Sequence, residues 1–583
     1  MAAPPATASE WHYQDAERIV VLSDIHGAYD ALLDTLQEAS VIDENLAWSG
    51  GETQLVIMGD LVDRGVDSRR VMDIVMRLES EAPHAGGRVH LTLGNHEVMN
   101  LIGDLRYVAD AEFAAFADDE SPAERDKWYQ HFRQGYPADV DEEAVRAAFN
   151  KKAPPGYFGH RQAFGLDGAY GKWLLSKPLM IVINDTAFVH GGVPPYVAEH
   201  GLTGVNDTLK SELLDYLEAR ATLEDAGILS PIDRFKEQPE KLASLFEAGQ
   251  LGDEFVPPAK TVAEHPRSPL HTGEGPLWYR GSSECDALEE VDGLVAALDL
   301  VGATRAAIGH STTKSRRVQQ RLDGRILEVN TGILQSVYRG SGYALIIDGE
   351  TLSVASENGE KGLLPLVPPR RVGYESTTVD DDLLERMLTE GVITDSSASV
   401  TASQMFQVTV GGTTVHARFD TLPDKKGFAP ELAAYRLDRL LGLNMIPATV
   451  RRKIDGVWGT LQFVPPAAFS EQVRVAGRVD EQPPCSLEKQ WGAMHVFDAL
   501  INNPMRTPLT MLYDTEVLGL ILVDHGAAFD SSIGQPTYLE NVDLAVGERW
   551  RTALLGLDDK TLKKNLGDTL DRGRLSALAK RRD

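Results

Sequence analysis

Short apolar runs closed by polar, glycine-bearing loops recur through the first part of the chain. RIVVLSD, TQLVIMGD and RVHLTLGN are rich in Val, Ile and Leu and read as buried strands. Between them, AYDALLDTLQEA and SRRVMDIVMRLES place apolar residues at helical spacing. Strand, loop, helix, strand predicts an α/β sheet. PLMIVINDTAFVHGG and ATRAAIGHS add strands, and RILEVNTGI with YALIIDGETLSVAS predicts a closing β-meander. Two charged, helical stretches, residues 108–157 and 203–262, interrupt this core. They read as insertions outside the sheet, forming either a cap or solvated decoration. The pattern divides the chain into an N-terminal extension (1–17), a first domain (18–365), a Pro-containing linker (366–374, in LLPLVPPRR) and a second domain (375–583). The second domain opens with the helix DDLLERMLTEG, continues with the strands of FQVTVGGTTVHARFD and the helix APELAAYRLDRLLGL, and reads as α+β.

Composition narrows the class. The chain has 583 residues, 43% apolar and 25% charged, as in a globular protein, and a formal net charge of −30. That charge argues against general affinity for nucleic acid or anionic membrane. No apolar run is long enough to span a bilayer. Two cysteines, Cys285 and Cys485, are too few for a disulfide scaffold or a thiolate metal cluster. The start, MAAPPATASE, lacks the apolar core of a signal peptide but is like the small, Pro-rich residues that often follow one. Periplasmic or exported placement is therefore expected ahead of a cytoplasmic one.

Chemistry enters at the strand ends. SDIHG offers Asp24 and His26; GDLVDRG offers Asp60, Asp63 and Arg64; GNHE offers Asn95 and His96; FVHGG offers His190; IGHS offers His310. Sites in open α/β sheets form at the carboxyl ends of strands, so these five loops are expected to converge. Two carboxylates, one amide oxygen and three imidazoles suit Mn, Fe, Zn or Co, and are too many for one catalytic ion with open positions. Two ions with a carboxylate bridge fit, and Asp60 is the expected bridge.

SDIHG, GDLVDRG, GNHE, HGG and GHS together resemble the metallophosphoesterases of the phosphoprotein phosphatase type. GNHEVMNLIGDLRYV, PPGYFGHRQAFGLDGAYGKWLLSKP and GPLWYRG resemble, more narrowly, the Shewanella-like protein phosphatases. The resemblance covers roughly residues 18–365 and implies a calcineurin-like β-sandwich flanked by helices. It implies one metal on Asp24, His26 and Asp60 and another on Asp60, Asn95, His190 and His310, with Mn expected to serve in vitro. His96 would be the general acid, oriented by Asp63. Arg64 would hold the phosphate, assisted by Arg280, Arg106 and Asn95, while a hydroxide shared by the ions attacks phosphorus. Asn330 of EVNTG stands where such phosphatases are often acidic. The substrate implied is a phosphoprotein, carrying phosphotyrosine or phosphoserine/threonine. A small-molecule phosphoesterase, such as a dinucleoside polyphosphate hydrolase, is the related alternative.

The second domain resembles an atypical kinase fold, related to secretory-pathway and phosphatidylinositol kinases, through FAPELAAYRLDRLLGLNMIPATV, GTLQFV, VFDALINNPMRTPLT and LILVDHGAAF. The resemblance implies that Glu431 pairs with a phosphate-binding Lys and that Asp524 binds metal. Met505 and Thr510 stand where an active member has a catalytic Asp and a metal-binding Asn. The strand Lys falls near Asp420, with Lys425 or Lys426 as stand-ins. A pseudokinase-like domain with a regulatory, substrate-binding or nucleotide-binding role is expected. A plain accessory domain and a bifunctional kinase–phosphatase are the alternatives.

Overall fold

In the computed structural model of the protein, the three N-terminal apolar runs form the strands Arg18–Leu22, Gln54–Ile57 and Arg88–Leu91, paired in parallel. Residues 10–363, 381–393, 403–422, 427–477, 485–515 and 518–583 are described. The expected linker at 366–374 and the candidates Lys425 and Lys426 lie outside them. The chain divides into two compact units. One comprises Met1–Ser283 and Gly293–Val367, the other Glu284–Asp292 and Pro368–Asp583. The linear division into 18–365 and 375–583 did not anticipate that Glu284–Asp292 counts with the second unit.

The first unit holds two six-stranded sheets. In one, the meander strands Lys361–Leu363, Thr351–Ser356 and Tyr343–Asp348 extend the three parallel strands. The other runs His12–Tyr13, Met180–Ile183, Thr186–Val189, Arg305–Ile308, Ile326–Glu328, Gln319–Arg321. Val21, Val56 and Met58 of the first sheet share a core with Ile181, Phe188, Ala307 and Leu327 of the second, so the sheets form a sandwich. The alternate residues Val20 and Leu55 are also fully buried. The helices Tyr29–Glu38 and Ser68–Glu81 bury Leu32, Leu36, Val71 and Val75 in turn. Burial on both faces explains why these strands read as continuous apolar runs.

Solvated decoration does not describe the inserted helices. Phe113, Trp128, Tyr129, Phe149, Tyr157 and Phe158 build a core of their own. Arg161 donates to Asn100 O and Leu101 O, and buried Arg220 donates to Ile102 O and to Glu224 at 2.8 Å. These carbonyls of Asn100, Leu101 and Ile102 close the helix Asn95–Ile102, where intrahelical donors run out; Asn100 O also accepts from Gly103 N at 3.3 Å.

The second unit contains a five-stranded antiparallel sheet ordered Val392–Ile393, Ser403–Val410, Thr413–Thr421, Val457–Phe463, Thr449–Ile454. The helices Pro430–Leu441 and Leu487–Ile501 share its core, with Phe406, Phe419 and Leu461 facing Leu437 and Phe497. Cys285 and Cys485 form one disulfide within this unit, a pairing the sequence did not point to. A separation of 200 residues gave no local spacing signal.

Candidate active site

Parallel strands bring their carboxyl ends to one edge, and the loops there are stitched together. Asp24 N donates to Gly59 O, His26 N to Asp60 O at 2.8 Å, and Gly309 N to His190 O at 2.7 Å. Gly59 and Gly94 meet where these loops cross. A Cβ on Gly59 would lie 2.1 Å from Gly94 N, and Gly59 has a φ of +71°. Only glycine fits such an approach. Asp24, His26, Asp60, Asp63, Arg64 and His310 all have φ between 51° and 71°. Left-handed backbone at non-glycine residues is disfavoured and gathers at functional sites.

All six sequence-derived ligand candidates converge. His190 Nε2 lies 3.2 Å from Asp60 Oδ2 and 2.9 Å from Asn95 Oδ1. His26 Nε2 lies 3.7 Å from Asp60 Oδ2 and 4.0 Å from Asp24 Oδ1. Asp60 belongs to two groups able to hold an ion, one with His26 and His96, the other with His190 and His310. Their ligand atoms lie within 4.8 Å of one another. The imidazoles are oriented for this work. His26 Nδ1 faces Val62 O at 3.0 Å and His190 Nδ1 faces Met58 O at 2.7 Å, which leaves each Nε2 for the site. His310 Nε2 is buried with no hydrogen-bond partner. An orphaned imidazole nitrogen beside two buried carboxylates is the environment a divalent cation satisfies. Burial pushes the Asp24 carboxyl up to about 6. Burial also opposes ionisation of Asp60, but His190, His96 and His26 around it hold its carboxyl well below the ordinary range.

Beside the candidate ligands sits a dyad. His96 Nδ1 lies 2.6 Å from Asp63 Oδ2, and Asn100 Nδ2 donates to Asp63 Oδ1 at 2.9 Å. Burial alone would keep His96 neutral, but Asp60 and Asp63 raise it above its usual value. Arg280 donates to Ser311 Oγ at 3.0 Å, next to His310. Arg106 departs from expectation. Its guanidinium pairs with Asp104 at 2.7 Å and is 40% exposed, so its charge is already compensated. Asn330 Oδ1 accepts from Gly332 N at 2.9 Å.

Sequence reasoning quoted GNHE but gave Glu97 no role. Its carboxylate accepts from Asp60 N, Leu61 N and Gly94 N at 2.7, 2.7 and 2.8 Å, and so fixes the loop that carries Asp60. Being fully buried, next to a carboxylate and a glycine loop, it is legible only once the loops are seen to meet.

Residues 17–294 match the family described as calcineurin-like phosphoesterase. Over that stretch, just under half of the chain, the sequence is similar to calcineurin-like phosphoesterases. The domain is similar to Shewanella-like protein phosphatase 2 of Arabidopsis thaliana, 31% identical over 212 residues, which are 34% of this chain and 52% of that one. The chain thus spans about half the length of that relative. Among solved structures, a cold-active protein-tyrosine phosphatase of a psychrophile Shewanella is 25% identical, with a TM-score of 0.41, covering 61% of this chain and 83% of that one. A Helicobacter pylori proinflammatory kinase, CtkA, is 12% identical, with a TM-score of 0.25, covering 34% and 92%. At such TM-scores neither structure carries an argument about this chain.

In the second unit, several of the residues singled out in the sequence bond to one another. Glu431 accepts from His525 N, lies 3.2 Å from its Nδ1, and meets Arg418 at 3.7 Å. Arg418, two residues before Asp420 in the same strand, is the cation that faces Glu431, an arginine where a lysine was expected, and it also donates to Asp420 at 2.8 Å. Met505 is exposed, and Thr510 Oγ1 is bonded to Thr507. Arg506 is buried in a pair with Asp498 at 2.7 Å. Asp524 has a left-handed φ of 64°. Among the described residues no helix is long and apolar enough to cross a membrane.

Proposed function

We propose that the chain is a metal-dependent phosphoprotein phosphatase with a degenerate kinase-like second unit. The observation that carries this reading is Asp60, common to two ion-holding groups and flanked by a His–Asp dyad and a guanidinium. Asp24, His26 and Asp60 would hold one divalent ion; Asp60, Asn95, His190 and His310 would hold the other. Such a pair supplies a deprotonated water near neutral pH and neutralises charge on a phosphoryl group. The protein's own groups do the rest. Arg64 and Arg280 bind phosphoryl oxygens through forked N–H donors. His96 gives a proton from Nε2 to the leaving oxygen, and Asp63 holds its Nδ1 proton and stabilises the imidazolium.

Likeness to a protein phosphatase supports a phosphoprotein substrate. The Cys285–Cys485 disulfide supports an oxidising compartment, where such bonds persist. For the second unit, the bonds that occupy Glu431, together with Met505 and Thr510 at the catalytic-loop positions, support a regulatory or substrate-binding role without phosphoryl transfer. A thermal shift with ATP and metal, and radiolabel transfer from ATP, test that part; transfer would overturn it. The main test is hydrolysis of p-nitrophenyl phosphate with Mn²⁺ by wild type, Asp60→Asn and His96→Asn, followed by phosphotyrosine and phosphoserine peptides. Activity in wild type and its loss in both variants is expected. No wild-type turnover with two ions bound would sink the reading.

A further inference from the structure

Arg64 is held in an unusual way for a buried-edge cation. Its Nε is buried and has no hydrogen-bond partner, and no carboxylate pairs with it among the described residues. Other arginines near the site are spent: Arg106 on Asp104, Arg161 and Arg220 on helix carbonyls. Arg64 instead lies against aromatic rings. Its guanidinium carbon is 4.5 Å from the ring centre of Tyr107 and 5.5 Å from that of Tyr338. Arg64 N also donates to Tyr107 O at 2.9 Å, which fixes the left-handed backbone from which the side chain springs.

The same rings touch the groups on either side. Tyr107 lies 5.1 Å from the His96 ring. Tyr338 stacks on His26 at 5.5 Å and 26°, with its hydroxyl 3.2 Å from His26 Nε2. A ring face attracts a guanidinium through its quadrupole without consuming N–H donors. A carboxylate partner would hold the arginine too, but would cancel its charge and occupy its fork.

We infer that Tyr107 and Tyr338 are positioning residues that hold Arg64 by their ring faces, keeping its charge and its donor fork free for a phosphoryl group. This rests on the phosphatase reading above and adds to it the device that presents the phosphate-binding cation. Removing either ring should let Arg64 wander and weaken phosphate binding. Removing only a hydroxyl should not.

The test is calorimetric binding of inorganic phosphate to the full chain with Mn²⁺, alongside KM and kcat for p-nitrophenyl phosphate. Tyr107→Ala and Tyr338→Ala are each expected to weaken phosphate about tenfold, with KM rising more than kcat falls. Tyr107→Phe and Tyr338→Phe should restore most of the affinity. In an Arg64→Ala background the tyrosine changes should cost nothing further, because the cation they position is gone. Bound metal, by elemental analysis, and the thermal midpoint should stay near wild type, which separates this role from a structural one. Wild-type phosphate affinity in the Ala variants, full additivity with Arg64→Ala, or Phe variants as weak as Ala would each overturn the inference alone. A wild type that holds its ions yet neither binds phosphate nor turns over ester would overturn the phosphatase reading and this inference with it.

Discussion

Replacing Asp63 by Asn tests the dyad at its most sensitive point. The His96 Nδ1–Asp63 Oδ2 contact of 2.6 Å is a charge-assisted hydrogen bond, buried on both sides. Asn100 already donates to the other carboxylate oxygen, so the new amide would turn its oxygen to Asn100 and its NH₂ to His96. His96 would then carry its proton on Nε2 as a neutral ring, a much weaker acid than the imidazolium. A hydrogen bond to a charged group contributes about 1.5–3 kcal/mol. At 1.36 kcal/mol per decade, kcat should fall roughly 10- to 10²-fold where proton donation limits the rate. That condition depends on the leaving group. Serine alkoxide needs the proton most, tyrosinate (pKa about 10) less, and p-nitrophenolate least. The assay is therefore kcat of Asp63→Asn against wild type on phosphoserine peptide, phosphotyrosine peptide and p-nitrophenyl phosphate, with metal content matched. A graded loss is expected in that order. Equal losses on all three, or an intact rate on phosphoserine, would refute the assignment of His96 as proton donor.

Asp60→Asn should lower bound Mn²⁺ from two ions toward none rather than to one, because Asp60 serves both groups; elemental analysis after gel filtration decides. Glu112 is buried, accepts from Ser68 N at 3.1 Å, and burial pushes its carboxyl up to about 8. The fold therefore prefers the protonated acid: its stabilising effect is complete below the unfolded value and is lost as pH rises through about 8. Glu112→Gln should flatten this decline, on the order of a few kcal/mol, in urea melts at pH 5 and pH 9. Arg220→Gln removes a buried cation from Ile102 O and from the partly exposed Glu224, and should destabilise the first unit by roughly 1–3 kcal/mol in thermal or chemical unfolding. An unchanged unfolding midpoint would show that the helix carbonyls find other donors.

The convergence of the candidate ligands was legible because each lies within a few residues of a strand end, and a parallel sheet delivers such positions to one edge. Asp24, Asp60, Asn95, His190 and His310 needed no long-range knowledge beyond that rule. Tyr338 was not legible: it reaches His26 across 312 residues, from the short helix Gln335–Tyr338, which has no motif of its own. Arg220 likewise meets Ile102 across 118 residues, and its helix read only as a charged insertion. Arg106 misled for the opposite reason. Its motif was right, but Asp104, two residues away, takes the guanidinium. In the second unit the helix and strand periods placed the elements well. The partner of Glu431 depended on strand register, which put Arg418 opposite it.

The disulfide makes the molecule a covalent ring from Cys285 to Cys485, with the stretch between the units as part of its circumference. A protease that cuts any one bond between those cysteines opens the ring but releases no fragment until a reductant is added. Truncation is another matter. Ending the chain at residue 374 deletes Cys485 and strips Glu284–Asp292 from its unit, four residues after Arg280. Unit membership does not follow sequence order, so a chain shortened at residue 374 is a different molecule from the one that carries its second unit.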